Sequence, residues 1–181
     1  MQTPIFITGN QDKADYLAKI LGVLLEHQKL DLDEIQSLDV DEIITHKVKQ
    51  AYAFIQKPVL VEDVWLGFTA LHGLPGPFIK FFVGIPDGLE KLCRLLDGFT
   101  DRSAEAGSVY GYYDGQQVKL FRATMAGSVP HHPRGKNGFG WDAIFEPVGY
   151  GGKTRAELSL ADYEAVYEIV RPYKALRNFL T

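Results

Sequence analysis

Two hydrophobic periods run along this chain, and they divide it into strands and helices. Pro4-Ile5-Phe6-Ile7 is a short apolar run ending in Thr8-Gly9-Asn10, which predicts a strand and a turn. Ala14, Leu17, Ala18 and Leu21 then recur three and four apart and share one helical face, with Gly22 as the stop. Asn10 or Asp12 can cap that helix, because either side chain can accept from free N–H groups of the first turn. Residues 30–41 are acidic and show no period. Ile44, Val48, Ala51 and Ile55 predict a second helix. Val59-Leu60-Val61 predicts a buried strand ending at Glu62-Asp63. Gly73-Leu74-Pro75-Gly76-Pro77 predicts irregular backbone. Leu89, Leu92, Cys93 and Leu96 predict a third helix. Two β-rich runs, 106–113 and 117–125, flank Asp114-Gly115, a pair that favours a hairpin turn. An aromatic, glycine-rich segment covers 134–152. A last helix falls within 161–180 and is interrupted near Pro172, which lacks an N–H. Alternating strands and helices followed by a hairpin predict an α/β protein with a mixed sheet. With no repeat and no linker, the chain reads as a single domain, 1–181.

Composition narrows the function classes. Apolar residues at 46% and charged residues at 23% are ordinary globular values, which excludes a disordered tail, a collagen-like chain and a coiled coil. No apolar run approaches the ~20 residues of a membrane helix, so no membrane partner is expected. Met1 to Asn10 has neither a basic start nor a long apolar stretch, and no signal peptide is expected. Cys93 is the one cysteine, which rules out an intrachain disulfide and a multi-cysteine zinc site and favours a cytoplasmic location. The net charge is −4 and the lysines are scattered, so a nucleic acid polymer is not the expected partner.

Three segments can carry chemistry. Thr8-Gly9-Asn10-Gln11-Asp12-Lys13 places a glycine turn, free N–H groups and a lysine at a helix start, which suits phosphate oxygens. It lacks the Gly-Lys-Ser/Thr ending of a Walker loop, and an ordinary capped helix is the plain alternative. Glu62-Asp63 puts two acids beside each other on a strand, where they point to opposite faces. One can hold a hard cation or take a proton from water while the other is structural. Glu34 in the acidic stretch can add an oxygen. Gly138-Phe139-Gly140-Trp141-Asp142 combines rings, flexible glycines and a carboxylate, a set that fits stacking and reading of a base, or simply a turn with core aromatics. His131-His132 reads as surface loop, Cys93 as core, and Tyr110, Tyr112 and Tyr113 as packing or dimer-surface residues.

In their order along the chain, these segments resemble the inosine triphosphate pyrophosphatase family, which acts on triphosphates of non-standard purines. The matching stretches are Thr8-Gly9-Asn10 with Lys13, Val61-Glu62-Asp63, Gly73 to Pro77 with Lys80, Pro133-Arg134-Gly135, Phe139-Gly140-Trp141-Asp142, and Lys153-Thr154 followed by Ala156-Glu157-Leu158. Gly76-Pro77-Phe78-Ile79-Lys80-Phe81-Phe82 is most similar to the eukaryotic branch. The resemblance implies a two-lobed α/β fold around an elongated mixed sheet flanked by helices, a cleft between the lobes, and a homodimer. It implies Mg²⁺-dependent hydrolysis of a nucleoside triphosphate to a monophosphate and pyrophosphate, with Mn²⁺ as a substitute metal. Carried over residue by residue, Thr8, Gly9, Asn10 and Lys13 hold phosphates, and Lys47 and Lys80 contact them. Asp63 is the water-activating base, with Glu34, Glu62 and Asp63 near the metal. Phe139, Gly140, Trp141 and Asp142 hold the base.

The chain also departs from that family. Where the family has a lysine and then Ser-His-Arg, this chain reads Ala161 to Leu176, with Tyr163 at the lysine position. One anchoring puts Val170, Arg171 and Pro172 against the triplet, and another puts Tyr167, Glu168 and Ile169 there. Arg171 is the partial replacement for the lost arginine. Val64 and Ala143 replace a small polar residue and a proline. The phosphate and metal half is kept and the base-reading half rewritten, which predicts a pyrophosphatase with altered base preference. A silent nucleotide-binding paralogue, a Maf-like hydrolase of pyrimidine or modified nucleotides, and a purely structural protein are the competing readings.

Overall fold

A computed structural model describes residues 3–181. Its elements in chain order are β1 (Ile5–Ile7), α1 (Gln11–Leu21), β2 (His27–Gln28), α2 (Val40–Ile55), β3 (Val59–Phe68), β4 (Pro75–Gly76), α3 (Ile79–Val83), α4 (Gly88–Arg94), β5 (Ser103–Tyr113), β6 (Val118–Ser128), β7 (Glu146–Pro147), α5 (Leu160–Ile169) and α6 (Tyr173–Leu180). The strands form one mixed sheet in the order β2-β1-β3-β5-β6-β7, with β4 also paired to β3. β1 runs parallel to β2 and β3, whereas β4 is antiparallel to β3 and β7 to β6. The α/β class with a mixed sheet is therefore as the sequence pattern predicts.

Local chemistry explains most boundaries. Asn10 caps α1, its side chain accepting from the Lys13 N–H at 3.0 Å, and Gly22 ends the helix at φ 70°. Asp39 caps α2 through the Asp41 N–H at 2.9 Å. The last helical stretch is two helices, α5 capped by Ser159 and α6 beginning after Pro172. The end of β3 differs from the expectation. β3 does not end at Glu62-Asp63 but continues to Phe68, because Trp65, Leu66 and Phe68 are themselves buried. Gly107 makes room for this continuation: a Cβ there would lie 2.1 Å from the Trp65 ring. The Gly73–Pro77 segment, expected to be irregular throughout, contributes β4 with the pairs Leu66↔Gly76 and Gly67↔Pro75.

The chain divides into two compact units, each built from separate stretches. The first comprises residues up to Asp63, Ser108–Arg122 and Pro172–Thr181. Phe6, Leu17, Ile44, Leu60 and Tyr110 are buried in it. Tyr110 lies against Phe6 and Tyr173, and Tyr112 meets Phe179 edge-on at 4.9 Å, so both tyrosines are packing residues. The second unit comprises Val64–Gly107 and Ala123–Arg171. Its core includes Leu66, Phe68, Leu92, Cys93, Trp141 and Phe145. Burial pushes the Cys93 thiol up to about 12, so it is inert packing as its helical position predicts.

Candidate active site

In the first unit, β1 delivers the turn Thr8-Gly9-Asn10 to the start of α1. Thr8 Oγ1 accepts from the Asn10 N–H at 3.2 Å, and Asn10 in turn holds the Lys13 N–H. Lys13 forms an ion pair with Glu62. The Glu62 side chain is 1% exposed, so this carboxylate faces inward. Its neighbour on β3, Asp63, points to the opposite face, as alternation along a strand requires.

Asp63 belongs to a different group. The Lys47 ammonium on α2 donates to Asp63 Oδ2 at 2.8 Å and to Glu34 Oε1 at 2.8 Å. Glu34 sits in a segment without regular structure, yet its position is set. Gln50, one turn along α2 from Lys47, accepts from the Asp33 N–H at 2.8 Å and donates to the Asp33 carboxylate at 2.7 Å. Burial by itself lowers the Lys47 pKa, but the carboxylates of Asp63 and Glu34 more than offset it and the net shift is upward. The ammonium therefore stays charged at neutral pH. Two carboxylates here converge on one cation, and their hard oxygens suit Mg²⁺, which is commonly bound by one or two carboxylates with phosphate and water completing the shell. Glu34 and Asp63 fit that role. Glu62 does not join them, since it is turned to Lys13. Among the described residues no group of three acidic, histidine or cysteine side chains gathers.

The second unit holds the remaining candidates. Lys80, on α3, is exposed and its ammonium lies 5.0 Å from the centre of the Phe81 ring. The Arg134–Glu157 segment is tied at its ends. Arg134 reaches Glu146 Oε1 at 2.7 Å and Glu157 Oε2 at 3.1 Å, and its carbonyl accepts from the Thr154 hydroxyl at 2.8 Å. Within this segment Phe139 is 67% exposed, whereas Trp141 is buried edge-on against Phe145 at 5.8 Å. Phe139 can stack on a base, and Trp141 is core. Gly140 is exposed at φ 61°.

Asp142 is buried and engaged on both oxygens. Oδ1 takes Arg155 Nη1 at 2.8 Å, and Oδ2 takes the Tyr163 hydroxyl at 2.8 Å and the Phe139 N–H at 2.9 Å. Gly138 is required beside it, because a Cβ there would lie 2.2 Å from Asp142 Oδ2. Burial, and then the Asp142 charge, push the Tyr163 hydroxyl pKa upward, so it remains a donor. The Arg155 guanidinium faces the rings of Tyr163 at 4.8 Å, Tyr167 at 5.6 Å and Trp141 at 5.8 Å. Arg171, also buried, lies 4.6 Å from the Tyr167 ring centre. Tyr163, at the lysine position, and Arg171, which one anchoring puts at the triplet, are thus both in this buried cluster. Tyr167, which the second anchoring puts at the triplet, is there too, and Arg155 is the member that sequence reasoning missed. Lys153-Thr154-Arg155-Ala156-Glu157 looks like an exposed polar turn, and only the fold shows its arginine facing inward.

The profile of the Ham1 family matches residues 4–181. The chain is 39% identical over 186 aligned positions to the inosine triphosphate pyrophosphatase of Schizosaccharomyces pombe, covering 99% of this chain and 96% of that one. It is 42% identical over 181 positions to the inosine triphosphate pyrophosphatase of Yarrowia lipolytica, covering 97% and 94%. The solved structure of a HAM1 protein from Coxiella burnetii superposes with a TM-score of 0.86 at 25% identity, over 99% of this chain and 98% of that one.

Proposed function

The chain belongs to the Ham1 family, and from that premise we propose that it hydrolyses nucleoside triphosphates to monophosphate and pyrophosphate with a divalent metal, Mg²⁺ or Mn²⁺ in its place. The observation that carries this reading is the convergence of Glu34 and Asp63 on the Lys47 ammonium, at 2.8 Å each, in the same unit as the Thr8–Lys13 turn. Relatives named inosine triphosphate pyrophosphatase supply the substrate class.

Phosphoryl transfer asks a protein mainly for positioning and charge stabilisation. Thr8, Gly9, Asn10 and Lys13 meet phosphate oxygens at the start of α1, where free N–H groups and the helix dipole favour negative charge. Lys47 and Lys80 add positive charge. When bound at Glu34 and Asp63, the metal neutralises phosphate charge. Asp63 accepts a proton from the attacking water, and Lys47 orients that carboxylate through its hydrogen bond to Oδ2. Water forms a bond to the α-phosphorus, the bond to the bridging oxygen breaks, and its electron pair leaves with pyrophosphate. Glu62 serves this step through Lys13. The homodimer implied by the resemblance and the cytoplasmic location favoured by the single cysteine belong to the same proposal.

The base preference is proposed to differ from a Ser-His-Arg-bearing relative. Asp142 already accepts three hydrogen bonds within the chain, which favours a supporting role over direct contact with a base. The test uses ITP, XTP, dITP and the four standard triphosphates with Mg²⁺, measuring pyrophosphate and orthophosphate separately. Pyrophosphate release that disappears in Asp63→Asn is expected. Orthophosphate as the sole product, or full activity in the variant, overturns the reading. Saturable binding with no product would favour the silent paralogue.

A further inference from the structure

The hydrogen-bonded pair formed by Gln50 and Asp33 plays no part in the hydrolytic step described above. Gln50 Oε1 accepts from the Asp33 N–H at 2.8 Å, and Gln50 Nε2 donates to Asp33 Oδ2 at 2.7 Å. Both ends of one amide thus engage one residue, which fixes its backbone and its side chain together. Lys47 and Gln50 lie three apart on α2 and share a face of that helix. Lys47 takes Glu34 Oε1 at 2.8 Å while Gln50 takes Asp33, so one helical turn grips two consecutive residues of a segment without regular structure. The Glu34 side chain is 38% exposed, so packing does little to hold it. A cation at Glu34 and Asp63 repels the Lys47 ammonium and draws on the same two carboxylates, which weakens that tie. The Gln50 amide is uncharged and uses no oxygen of Glu34, so a cation does not compete with its grip.

We propose that Gln50 is a positioning residue for the cation site, its amide holding Asp33 so that Glu34 is presented beside Asp63 before the metal binds. The proposal rests on the divalent-metal reading above and assigns to Gln50 a share of that site's affinity for Mg²⁺ or Mn²⁺. A carboxylate on an unrestrained segment loses backbone freedom when it takes a metal, and that loss opposes binding. Where the segment is already held in the folded chain, the loss has occurred on folding and binding is tighter. Groups that orient a metal ligand from behind change metal affinity by about 10–100-fold when removed. Gln50 contacts neither phosphate nor the attacking water in this assignment, so turnover at saturating metal does not depend on it. Its amide carries no charge, so its removal alters the geometry of the site without altering the net charge there.

The test combines three measurements on the full chain. Mn²⁺ affinity is read from the electron paramagnetic resonance signal of unbound Mn²⁺, mobility of residues 30–36 from hydrogen–deuterium exchange, and half-activating Mg²⁺ from pyrophosphate release on ITP. Gln50→Ala keeps a strong helix former in α2, so the helix itself is not weakened. It is expected to bind Mn²⁺ about tenfold or more weakly and to raise half-activating Mg²⁺ by the same factor. Its kcat at saturating Mg²⁺ is expected to stay within about twofold of the wild type, and exchange around Asp33 to accelerate. Gln50→Glu sets a carboxylate against Asp33 and is expected to weaken Mn²⁺ binding, although its added negative charge alone would strengthen it. Asp33→Asn/Gln50→Glu restores the wild-type net charge and both hydrogen bonds, with donor and acceptor side chains exchanged, and is expected to recover the affinity. Unchanged Mn²⁺ affinity in Gln50→Ala overturns the proposal. So does a fall in kcat at saturating metal with no recovery in the double variant, the result of a merely structural role. If the wild type binds Mn²⁺ but hydrolyses no nucleotide, the hydrolase reading fails and the resonance titrations still decide on Gln50. If the wild type binds no Mn²⁺, the metal reading fails and the proposal with it.

Discussion

Asp142→Ala isolates the electrostatics of the buried cluster. The ion pair it breaks has side-chain exposures of 3% for Arg155 and 4% for Asp142, so solvent screens it little. Removing one partner of a buried pair typically costs about 3–5 kcal/mol, because the other charge stays behind uncompensated. Two partly buried donors, the Phe139 N–H and the Tyr163 hydroxyl, also lose their acceptor. Attraction of Arg155 to its rings survives the substitution and moderates the loss, which places the expected value near the lower end, about 3 kcal/mol. That is a large share of a domain stability of about 5–15 kcal/mol. At about 2–4 °C per kcal/mol for a chain of this size, the melting temperature should fall by about 6–12 °C. Both tryptophans, Trp65 and Trp141, belong to the second unit, so urea unfolding followed by tryptophan fluorescence reports on that unit. The double variant Asp142→Ala/Arg155→Met removes the stranded charge and should recover about 2 kcal/mol relative to Asp142→Ala, by the same argument. A loss below about 1 kcal/mol, the range of exposed pairs, or a double variant no more stable than the single one, would refute the reasoning.

Two further outcomes follow from the geometry. Lys47→Gln leaves Glu34 and Asp63 facing one another without their shared cation, and kcat/KM should fall by about a hundredfold or more, as for loss of a preorganised electrostatic group, measured by pyrophosphate release. The folded Cys93 thiol, raised to about 12, keeps its proton over a pH range where an unfolded cysteine, near 8.5, has lost it. The unfolded chain therefore binds fewer protons above about pH 9, and stability should decline there with rising pH. Cys93→Ala should flatten that decline in urea titrations at pH 8 and 10, and native Cys93 should resist iodoacetamide until denaturant is added.

Much of the fold was legible from local chemistry. Asn10, Gly22 and Pro172 mark helix ends because capping, left-handed backbone and a missing N–H act within a few residues of the sequence. The opposite orientations of Glu62 and Asp63 were legible for the same reason, although which of them faced inward was not. The end of β3 was misplaced because Glu62-Asp63 reads as a polar stop. What carries the strand onward is the burial of Trp65 to Phe68, in a space that Gly107 leaves open from another strand. Lys47 lies next to the apolar positions Ile44 and Val48, and its burial becomes explicable only when Glu34 and Asp63 arrive from elsewhere in the chain. Arg155 shows the limit most clearly. Its neighbours in sequence are polar and small, and its environment is made by Asp142, Tyr163 and Tyr167. Of the two rings read as base-holding or core, Trp141 packs in the core and Phe139 beside it is the exposed one.

The most direct test of the account is the position of water attack. Hydrolysis of ITP in ¹⁸O-enriched water, followed by mass spectrometry of both products, should place one heavy oxygen in the monophosphate and none in pyrophosphate. Heavy oxygen in pyrophosphate, or in orthophosphate with release of a diphosphate, would contradict attack at the α-phosphorus and with it the roles assigned to Asp63, Glu34 and Lys47.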